Sequence, residues 1–413
     1  MKKFRQFYLR ALHSDELARA FGGPFFVAIL ISTSLLIAGT WIRAEGGMLD
    51  FSANLAHAPH EDFAAFYRGG EMAAQGEAAE VYDYRLFAKG LSQENQSLLF
   101  LNPPQALVFF EPLASLSYPT ARGLVFAANA LCLFLTIYMI GLRAAFWPYV
   151  FILTSAGAFY ALQLMQISPI AMFLLVFALL YSGSRPILSG LALCILTIKP
   201  QYGLLVPVYL LSTRDWRTFA VASVGTLALI GASVGLYGVV AWQAFWASLS
   251  GGVHSVQFQM PQNMIVTVGQ SLGKLGAGDG LRFGAQIISL FVAGLFVYAA
   301  ARHWNRQLAA AMSLLAMCVA APSFLFYDWL MYAAALLLLL RTAPEWPVSL
   351  QIIAGLLWSA PVLHDVLNSY DASGAFLFSS LMPALGLAVL IHASVTFFGE
   401  KSPGAPITVR DGA

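Results

Sequence analysis

Charged residues are scarce in this sequence. Only 10% of the 413 residues are Asp, Glu, Lys or Arg, whereas 59% are hydrophobic. A soluble globular protein is closer to a quarter charged, because water has to solvate its surface. The shortage of charge therefore excludes a soluble globular chain, and the abundance of apolar residues predicts a protein whose surface is covered by lipid.

Cysteine and clustered basic residues are also lacking. The three cysteines, Cys132, Cys194 and Cys318, lie in apolar stretches without paired spacing, which predicts small core residues rather than disulfides or metal ligands. The net charge is +2, and no basic run is long enough to neutralise a phosphate backbone. These features exclude nucleic acid as a partner. We expect no cofactor, and no motif indicates a divalent cation, although one stays open.

Long apolar runs occupy most of the chain. A membrane-spanning helix needs about 20 apolar residues, which predicts about ten to twelve spans because several candidates are short or contain Pro. We expect an all-α polytopic membrane protein with a cytoplasmic N-terminus (1–23), one transmembrane domain (24–397) and a flexible cytoplasmic tail (398–413). The predicted spans are 24–43, 104–118, 121–142, 146–162, 167–182, 186–212, 216–240, 281–302, 307–322, 326–340, 347–364 and 375–397.

Basic residues near the span ends predict the orientation, because cytoplasmic loops carry an excess of Lys and Arg. With twelve spans and the N-terminus inside, Arg214 and Arg306 face the cytoplasm. The long loops near 44–103 and 241–280 then face outwards from the plasma membrane. Arg185 also falls on the outside, against the rule, so this part of the chain is inconsistent with the predicted topology.

The first long loop, 44–103, contains nine of the twenty acidic residues of the chain. Loops of this length in compact proteins are usually functional. Within it, Phe63 to Gln75 has the spacing of a short amphipathic helix that Gly76 can end. A helix of this kind is suited to the outer membrane surface.

Asp62, directly before this helix, allows two interpretations. Unpaired backbone N–H groups and the helix dipole favour an acidic residue at a helix start, so Asp62 can be a helix cap and nothing more. A partly desolvated carboxylate at a membrane surface can also act as a general base and take a proton from an attacking hydroxyl. His57 and His60 could join the neighbouring carboxylates as metal ligands, but this spacing is more typical of solvated loop histidines.

Consecutive prolines stand at the end of the acidic loop. Pro103 and Pro104 restrict the backbone to an extended entry into the next predicted span, and Pro112 interrupts that span. We expect a rigid corner that anchors the long loop. Glu111, in the same apolar run, is costly unless protein shields it.

Two later segments place polar residues within apolar runs. The charge of Lys199, which precedes Pro200, is costly to bury without a partner. We expect Lys199 either to bind an anion such as a lipid phosphate or to extend to the membrane interface. Tyr327 and Asp328 are typical either of an interfacial aromatic belt or of a sugar site. Further candidates for sugar or acceptor binding are Glu61, Tyr67 and His254.

The motifs of the chain occur in a particular order. They are Asp62-Phe63, Tyr67, Gly76, Val81-Tyr82-Asp83, Asn102-Pro103-Pro104, Pro112-Leu113-Ala114, Gln166, Lys199-Pro200-Gln201, Arg214-Asp215-Trp216-Arg217 and Tyr327-Asp328. This order resembles glycosyltransferase family 87, the polyprenol-phosphate-mannose-dependent mannosyltransferase-like proteins of the GT-C superfamily. The resemblance covers most of 24–340. Where family members often have Asn two residues after the Gln, this chain has Ser168.

The resemblance implies a GT-C-like helical bundle and an inverting glycosyl transfer on the extracytoplasmic face. The donor would be a hexose, with mannose the first choice, on a polyprenyl phosphate. The acceptor hydroxyl would belong to a glycolipid or polysaccharide, and membrane lipids would surround the protein. Asp62 matches the general base of the family, and Lys199 is the candidate ligand of the donor phosphate.

A membrane transporter or lipid flippase is the main alternative. Such proteins place their binding sites on broken helices, often in two related halves. Lys199-Pro200 is one such break, but no matching break stands at a corresponding position in the sequence. A non-catalytic membrane scaffold is the third hypothesis, and it predicts no lined cavity between the first loop and the membrane.

Overall fold

The structure is a computed structural model, and it describes residues 24–43, 54–140, 149, 152–153, 155–249, 265–342, 346–370 and 372–398. Apart from one isolated bridge, the regular secondary structure of the described chain is helical, so the prediction of an all-α membrane protein is confirmed. The predicted N-terminal segment, nearly all of the predicted tail, and His254 lie outside the described residues. The helices are α1 (Pro24–Arg43), α2 (Phe63–Ala74), α3 (Tyr84–Ala88), α4 (Leu107–Ala114), α5 (Tyr118–Ile140), α6 (Ala156–Gln163), α7 (Ser168–Tyr181), α8 (Pro186–Leu196), α9 (Pro200–Gly203), α10 (Val206–Thr213), α11 (Trp216–Leu249, kinked at Gly238), α12 (Val268–Lys274), α13 (Asp279–His303), α14 (Arg306–Ala320), α15 (Leu330–Thr342), α16 (Val348–Tyr370) and α17 (Ala372–Phe398).

Three helices of the described chain, α5, α11 and α13, are long and apolar enough to cross a membrane. Their exposed faces carry large apolar side chains such as Leu131, Leu227 and Phe291. Contiguous apolar surface of this kind is typical of contact with lipid. The number of ten to twelve spans therefore stays a prediction.

Helices α14 and α15 form the centre of the bundle. Every residue from Leu308 to Ala320 and from Leu330 to Leu339 is buried. Small residues permit close contact here: Gly157 of α6 lies so near the backbone of Leu330 that a Cβ would overlap with it. The turn Phe326–Trp329 joins these two central helices and is therefore fixed by packing from several sides.

The segment 186–212, predicted as one span, is a hairpin of short helices. Proline stands in the first turn of α8, α9 and α10. The N–H groups of a first helical turn have no partner within the helix, so a proline there costs no hydrogen bond and marks the start of a new helix. The chain runs along α8, turns near Lys199 and returns along α9 and α10. The prediction of a single span was wrong, because the segment is continuously apolar but changes direction.

Both ends of this hairpin lie at the same end of the bundle. The Ser182 hydroxyl donates to the Asp215 carboxylate at 2.6 Å, and the Thr218 hydroxyl donates to the Ser182 carbonyl at 2.7 Å. Arg185 therefore lies on the same side as Arg214. The prediction that put them on opposite sides was wrong, and the observed placement agrees with the tendency of basic residues to gather on one side.

The acidic loop folds into a layer of short helices packed on the bundle. Its helix α2 begins at Phe63 as predicted, and Gly76 follows its end with φ +80°. Protein covers α2 on nearly all sides. Gly70, for example, lies so close to the backbone of Phe110 that a Cβ at this position would overlap with it. The expectation that this helix lies on the outer membrane surface was wrong, because its Gly and Ala positions allow packing on the face that was expected to be wet.

The predicted span 104–118 does not form. A turn at Pro104–Ala106 leads into α4, whose eight residues extend about 12 Å, less than half the hydrocarbon thickness. Glu111 in α4 is half-buried, and its Oε2 accepts a hydrogen bond from the Tyr237 hydroxyl at 2.6 Å. The acidic side chain is thus shielded by a helix from another part of the bundle, as the sequence required.

Candidate functional site

Asp62 is held in place by the turn between α6 and α7. Its backbone N–H donates to the Leu164 carbonyl at 2.8 Å, and its Oδ2 accepts from Gln166 Nε2 at 2.6 Å. Although Asp62 occupies the cap position of α2, its side chain makes no capping hydrogen bond. Its second oxygen, Oδ1, has no hydrogen-bond partner among the described residues, so the carboxylate can accept a proton or a hydroxyl.

Burial raises the pKa of the Asp62 carboxyl above its usual value of 3.8. The hydrogen bond from Gln166 and the charges of His60 and Lys199 lower the pKa, while the charge of Asp328 raises it, and burial has the largest effect. Asp62 is half-buried, so part of its side chain stays accessible. Lys199 and Asp328 are distant from Asp62 in sequence but close enough in space to influence its charge.

Lys199 forms a buried ion pair with Asp328. Its Nζ lies 2.7 Å from Asp328 Oδ1; Lys199 is 5% exposed and Asp328 is fully buried. Lys199 Nζ also donates to Ser168 Oγ at 2.7 Å, and Ser168 Oγ and the Tyr202 hydroxyl donate to Asp328 Oδ1 at 2.9 and 2.6 Å. Lys199 therefore has an internal partner, which contradicts the alternative that it extends to the membrane interface.

Lys199 keeps capacity for a ligand. An ammonium group has three N–H bonds, of which two are donated to Ser168 and Asp328, so one stays uncommitted within the described chain. The ring centroids of Tyr327 and Tyr202 lie 4.8 and 5.1 Å from Lys199 Nζ. The face of an aromatic ring attracts a cation at this distance. Because Tyr327 is only half-buried, the cluster is not sealed on the side of this ring.

Two amides connect the proline corner to the backbone just before Lys199. Asn102 Nδ2 donates to the Ile198 carbonyl at 2.7 Å, and Gln105 Nε2 donates to the Thr197 carbonyl at 3.2 Å. Carbonyls at a helix end have no partner within the helix, so these side chains satisfy them. The rigid corner expected from the prolines therefore also fixes the hairpin turn that carries Lys199.

Two of the predicted sugar-binding residues take part in the core of the acidic loop. Glu61 is 1% exposed, and its carboxylate accepts from Arg122 Nε at 2.8 Å and from the Tyr118 hydroxyl at 2.5 Å. The Tyr67 hydroxyl donates to the Leu116 carbonyl at 2.7 Å. These contacts give both residues a structural role. Sugar binding by Glu61, Tyr67, Tyr327 or Asp328 stays a prediction.

No group of three or more His, Cys, Asp or Glu side chains that could hold a metal ion occurs in the parts of the chain that the structure describes. His57 Nδ1 lies 2.9 Å from the side-chain oxygen of Asn54, and His60 Nδ1 lies 3.0 Å from the Glu94 carbonyl. Each histidine is thus hydrogen-bonded to a different group of the loop, and the two do not share a partner in these contacts.

The importance of Gln166 and Ser168 was not established by the sequence. Gln166 binds Asp62, and Ser168 binds Lys199 and Asp328, so one short turn connects both parts of the site. Met165 in this turn has φ +52°, a left-handed conformation that costs a non-glycine residue about 1 kcal/mol or more. Strain of this kind often occurs at functional sites. The available signal was two polar residues, Gln166 and Ser168, close to Pro169 in the first turn of α7.

The chain is similar to a known protein family. The model of glycosyltransferase family 87 matches residues 100–327, which is more than half of the chain. The match includes Gln166, Lys199 and Tyr327, but it begins after Asp62 and ends directly before Asp328. No curated protein and no solved structure matches the chain. The assignment of Asp62 therefore depends on its position in this structure rather than on the family match.

Proposed function

Because the chain belongs to glycosyltransferase family 87 and is a membrane-bound glycosyltransferase, we propose that it transfers a hexose, mannose as the first choice, from a polyprenyl-phosphate donor to a hydroxyl acceptor. The proposed transfer inverts the anomeric carbon and takes place on the outer face of the plasma membrane. The proposed acceptor is a glycolipid or polysaccharide. The observation that carries this proposal is the half-buried Asp62 carboxylate beside the Lys199 cluster.

Asp62 is the proposed general base. The acceptor oxygen forms a bond to the anomeric carbon while its proton passes to Asp62. The bond from the anomeric carbon to the phosphate oxygen breaks, and polyprenyl phosphate leaves with the electron pair. The raised pKa supports this role, because a carboxylate is a better proton acceptor when its pKa approaches the working pH. The uncommitted Oδ1 offers a place for the hydroxyl.

Lys199 is the proposed ligand of the departing phosphate. Negative charge grows on the phosphate oxygen as the bond breaks, so a cation held there in advance lowers the barrier. The uncommitted N–H of Lys199 supports this role, and the buried partner Asp328 orients the ammonium group. Tyr327, half-buried beside the ammonium, is the proposed stacking surface for the sugar ring.

We expect purified protein to transfer mannose from polyprenyl-phosphate mannose but not from nucleotide-linked mannose. Among the described residues, Lys199 is the buried cation beside Asp62 that keeps an uncommitted N–H, and one such group suits one phosphate on a lipid. Radiolabelled mannose and a lipid extract of the host membranes as acceptor would measure this, with released polyprenyl phosphate quantified in parallel. Transfer from the nucleotide sugar alone would contradict the proposal. Movement of the lipid-linked sugar across a vesicle membrane without release of polyprenyl phosphate would favour the flippase.

The pH profile of transfer tests the role of Gln166 as a positioning residue. Asp62 has to be ionised to act as base, so the rate should fall as the pH falls through its raised pKa. The hydrogen bond from Gln166 lowers that pKa, and Gln166→Leu should therefore move the acid side of the profile to higher pH. At high pH the kcat of the variant should approach that of the wild type. A uniform loss of rate at every pH would indicate a merely structural role for Gln166.

A further inference from the structure

A second polar site lies at the opposite end of the bundle from Asp62. Helix α7 leads from Ser168, in the Lys199 cluster, to Tyr181, a distance of about 20 Å at the rise of an α-helix. Helix α14 covers a similar distance back towards Asp328. At this far end a cavity of about 380 Å³ is lined by residues that include Arg214, Arg302, Trp304 and Arg306.

The cavity carries more positive than negative charge. Arg306 is paired with Asp215 at 2.9 Å, and Ser182 and Thr213 also donate to Asp215, at 2.6 and 2.7 Å. Burial alone would raise the pKa of Asp215, but the hydrogen bonds from Arg306, Ser182 and Thr213 lower it below 3.8, so the carboxylate is ionised and offsets Arg306. Arg214 and Arg302 are exposed and form no ion pair with any residue that the structure describes. Within the part of the chain that the structure describes, these two positive charges therefore have no counter-charge.

The hydroxyl groups of the cavity are already used within the protein. The Ser212 hydroxyl donates to the Val208 carbonyl at 2.6 Å, and the Tyr209 hydroxyl donates to the Leu179 carbonyl at 2.9 Å. A ligand would therefore be recognised by the guanidinium groups, whose planar N–H pairs match two oxygens of a phosphate. This chemistry selects an anion with adjacent oxygens rather than a neutral sugar.

The cavity lies at the ends of two membrane-spanning helices. α11 begins at Trp216 and α13 ends at His303, and the exposed faces of both helices are apolar. A phosphate held at this level would have an apolar surface beside it for acyl chains, and Trp304 in the cavity wall is of the type that lies at membrane interfaces. Basic pockets between helix ends bind the headgroups of anionic lipids.

We propose that Arg214 and Arg302 bind the phosphate of an anionic phospholipid headgroup in this cavity, at the end of the bundle opposite the site of sugar transfer. This role does not depend on the proposed catalytic function. A free phosphate has the same chemistry as the headgroup, so the experiment has to distinguish the two sources. The net charge of the cavity and its continuity with the lipid-facing helices favour the lipid.

The test compares purified full-length variants in nanodiscs of phosphatidylcholine with a minor fraction of phosphatidylglycerol. Native mass spectrometry would measure the phosphatidylglycerol that stays bound after the protein is released. Arg214→Ala/Arg302→Ala should weaken binding about thirtyfold, since each guanidinium that holds the phosphate inside the cavity contributes a factor of about five and the two factors multiply. Arg185→Ala/Arg217→Ala is the matched control, because it removes two exposed charges at the same end but outside the cavity and should bind as the wild type does.

Inorganic phosphate and glycerol phosphate are the soluble probes. Weak or no displacement of phosphatidylglycerol by either probe supports the lipid. Displacement by a probe at the same concentration as the lipid shows that the cavity takes free phosphate and overturns the lipid as its occupant. Equal binding by the double variant and the control overturns the site itself. If the double variant does not fold, Arg302→Gln alone replaces it, because Arg302 is exposed and pairs with no described carboxylate. This variant should still show severalfold weaker binding.

Discussion

Replacement of Asp62 by Asn is expected to lower the rate of sugar transfer by about 100- to 10,000-fold, the usual contribution of a general base. Asn has nearly the same shape and can still accept the hydrogen bond from Gln166 Nε2, but it cannot take a proton. Donor binding should be retained, because the variant leaves Lys199 unchanged. The measurement is kcat for transfer from polyprenyl-phosphate mannose together with the dissociation constant of the donor.

The same variant should not be less stable than the wild type. The pKa of Asp62 is raised in the folded protein, so the stability that belongs to its protonated form is present at low pH and is lost as the pH rises through the folded pKa. Asn is neutral at every pH and escapes this loss, so the melting temperature at neutral pH should stay equal or rise. Glu80→Gln, an exposed change in the same loop, is the control for activity. Wild-type turnover by Asp62→Asn would exclude Asp62 as the base.

Replacement of Lys199 by Met is expected to destabilise the protein by about 3–5 kcal/mol, the usual cost of breaking a buried ion pair on one side. Asp328 is fully buried and would lose the ammonium group that pairs with its carboxylate. The hydroxyls of Ser168 and Tyr202 would still donate to it, but they carry no compensating charge. The melting temperature of the purified variant in detergent measures this loss.

The double variant Lys199→Met/Asp328→Asn separates stability from catalysis. Both charges are removed, so most of the stability lost in Lys199→Met should return, because a neutral amide in place of the carboxylate needs no cation. Transfer should stay impaired, because the ligand proposed for the leaving phosphate is still missing. A double variant with restored stability and wild-type transfer would show that Lys199 serves the fold alone.

Among the candidate site residues, the sequence pointed to those whose chemistry is costly in isolation. Lys199 was identifiable because a buried ammonium needs a partner, and the structure supplies Asp328. Asp62 was identifiable because it stands at a helix start in an acidic loop. The sequence could not show that Asp62 and Lys199 share one site, since no local rule connects a loop residue to the turn of a distant hairpin.

The errors in the predicted fold have a common physical origin. Hydropathy measures how well a residue tolerates an apolar environment, but it does not record the direction of the chain or whether lipid or protein surrounds it. The segment 186–212 is apolar throughout and was therefore predicted as one helix, although its prolines begin new helices at 186 and 200. For the same reason α2 was expected at the membrane surface, although Gly70 allows the backbone of α4 to cover it.

The amide contacts of Asn102 and Gln105 join the end of the acidic loop to the Lys199 turn, so that the position of one constrains the other. A ligand that tightens the loop also restricts the turn, so the ordering cost of the turn is already met when a second ligand arrives. By thermodynamic reciprocity, the proposed acceptor and the proposed lipid-linked donor should then raise each other's affinity by the same factor. The enzyme would favour the ternary complex over either binary complex, which limits hydrolysis of the donor by water when no acceptor is present.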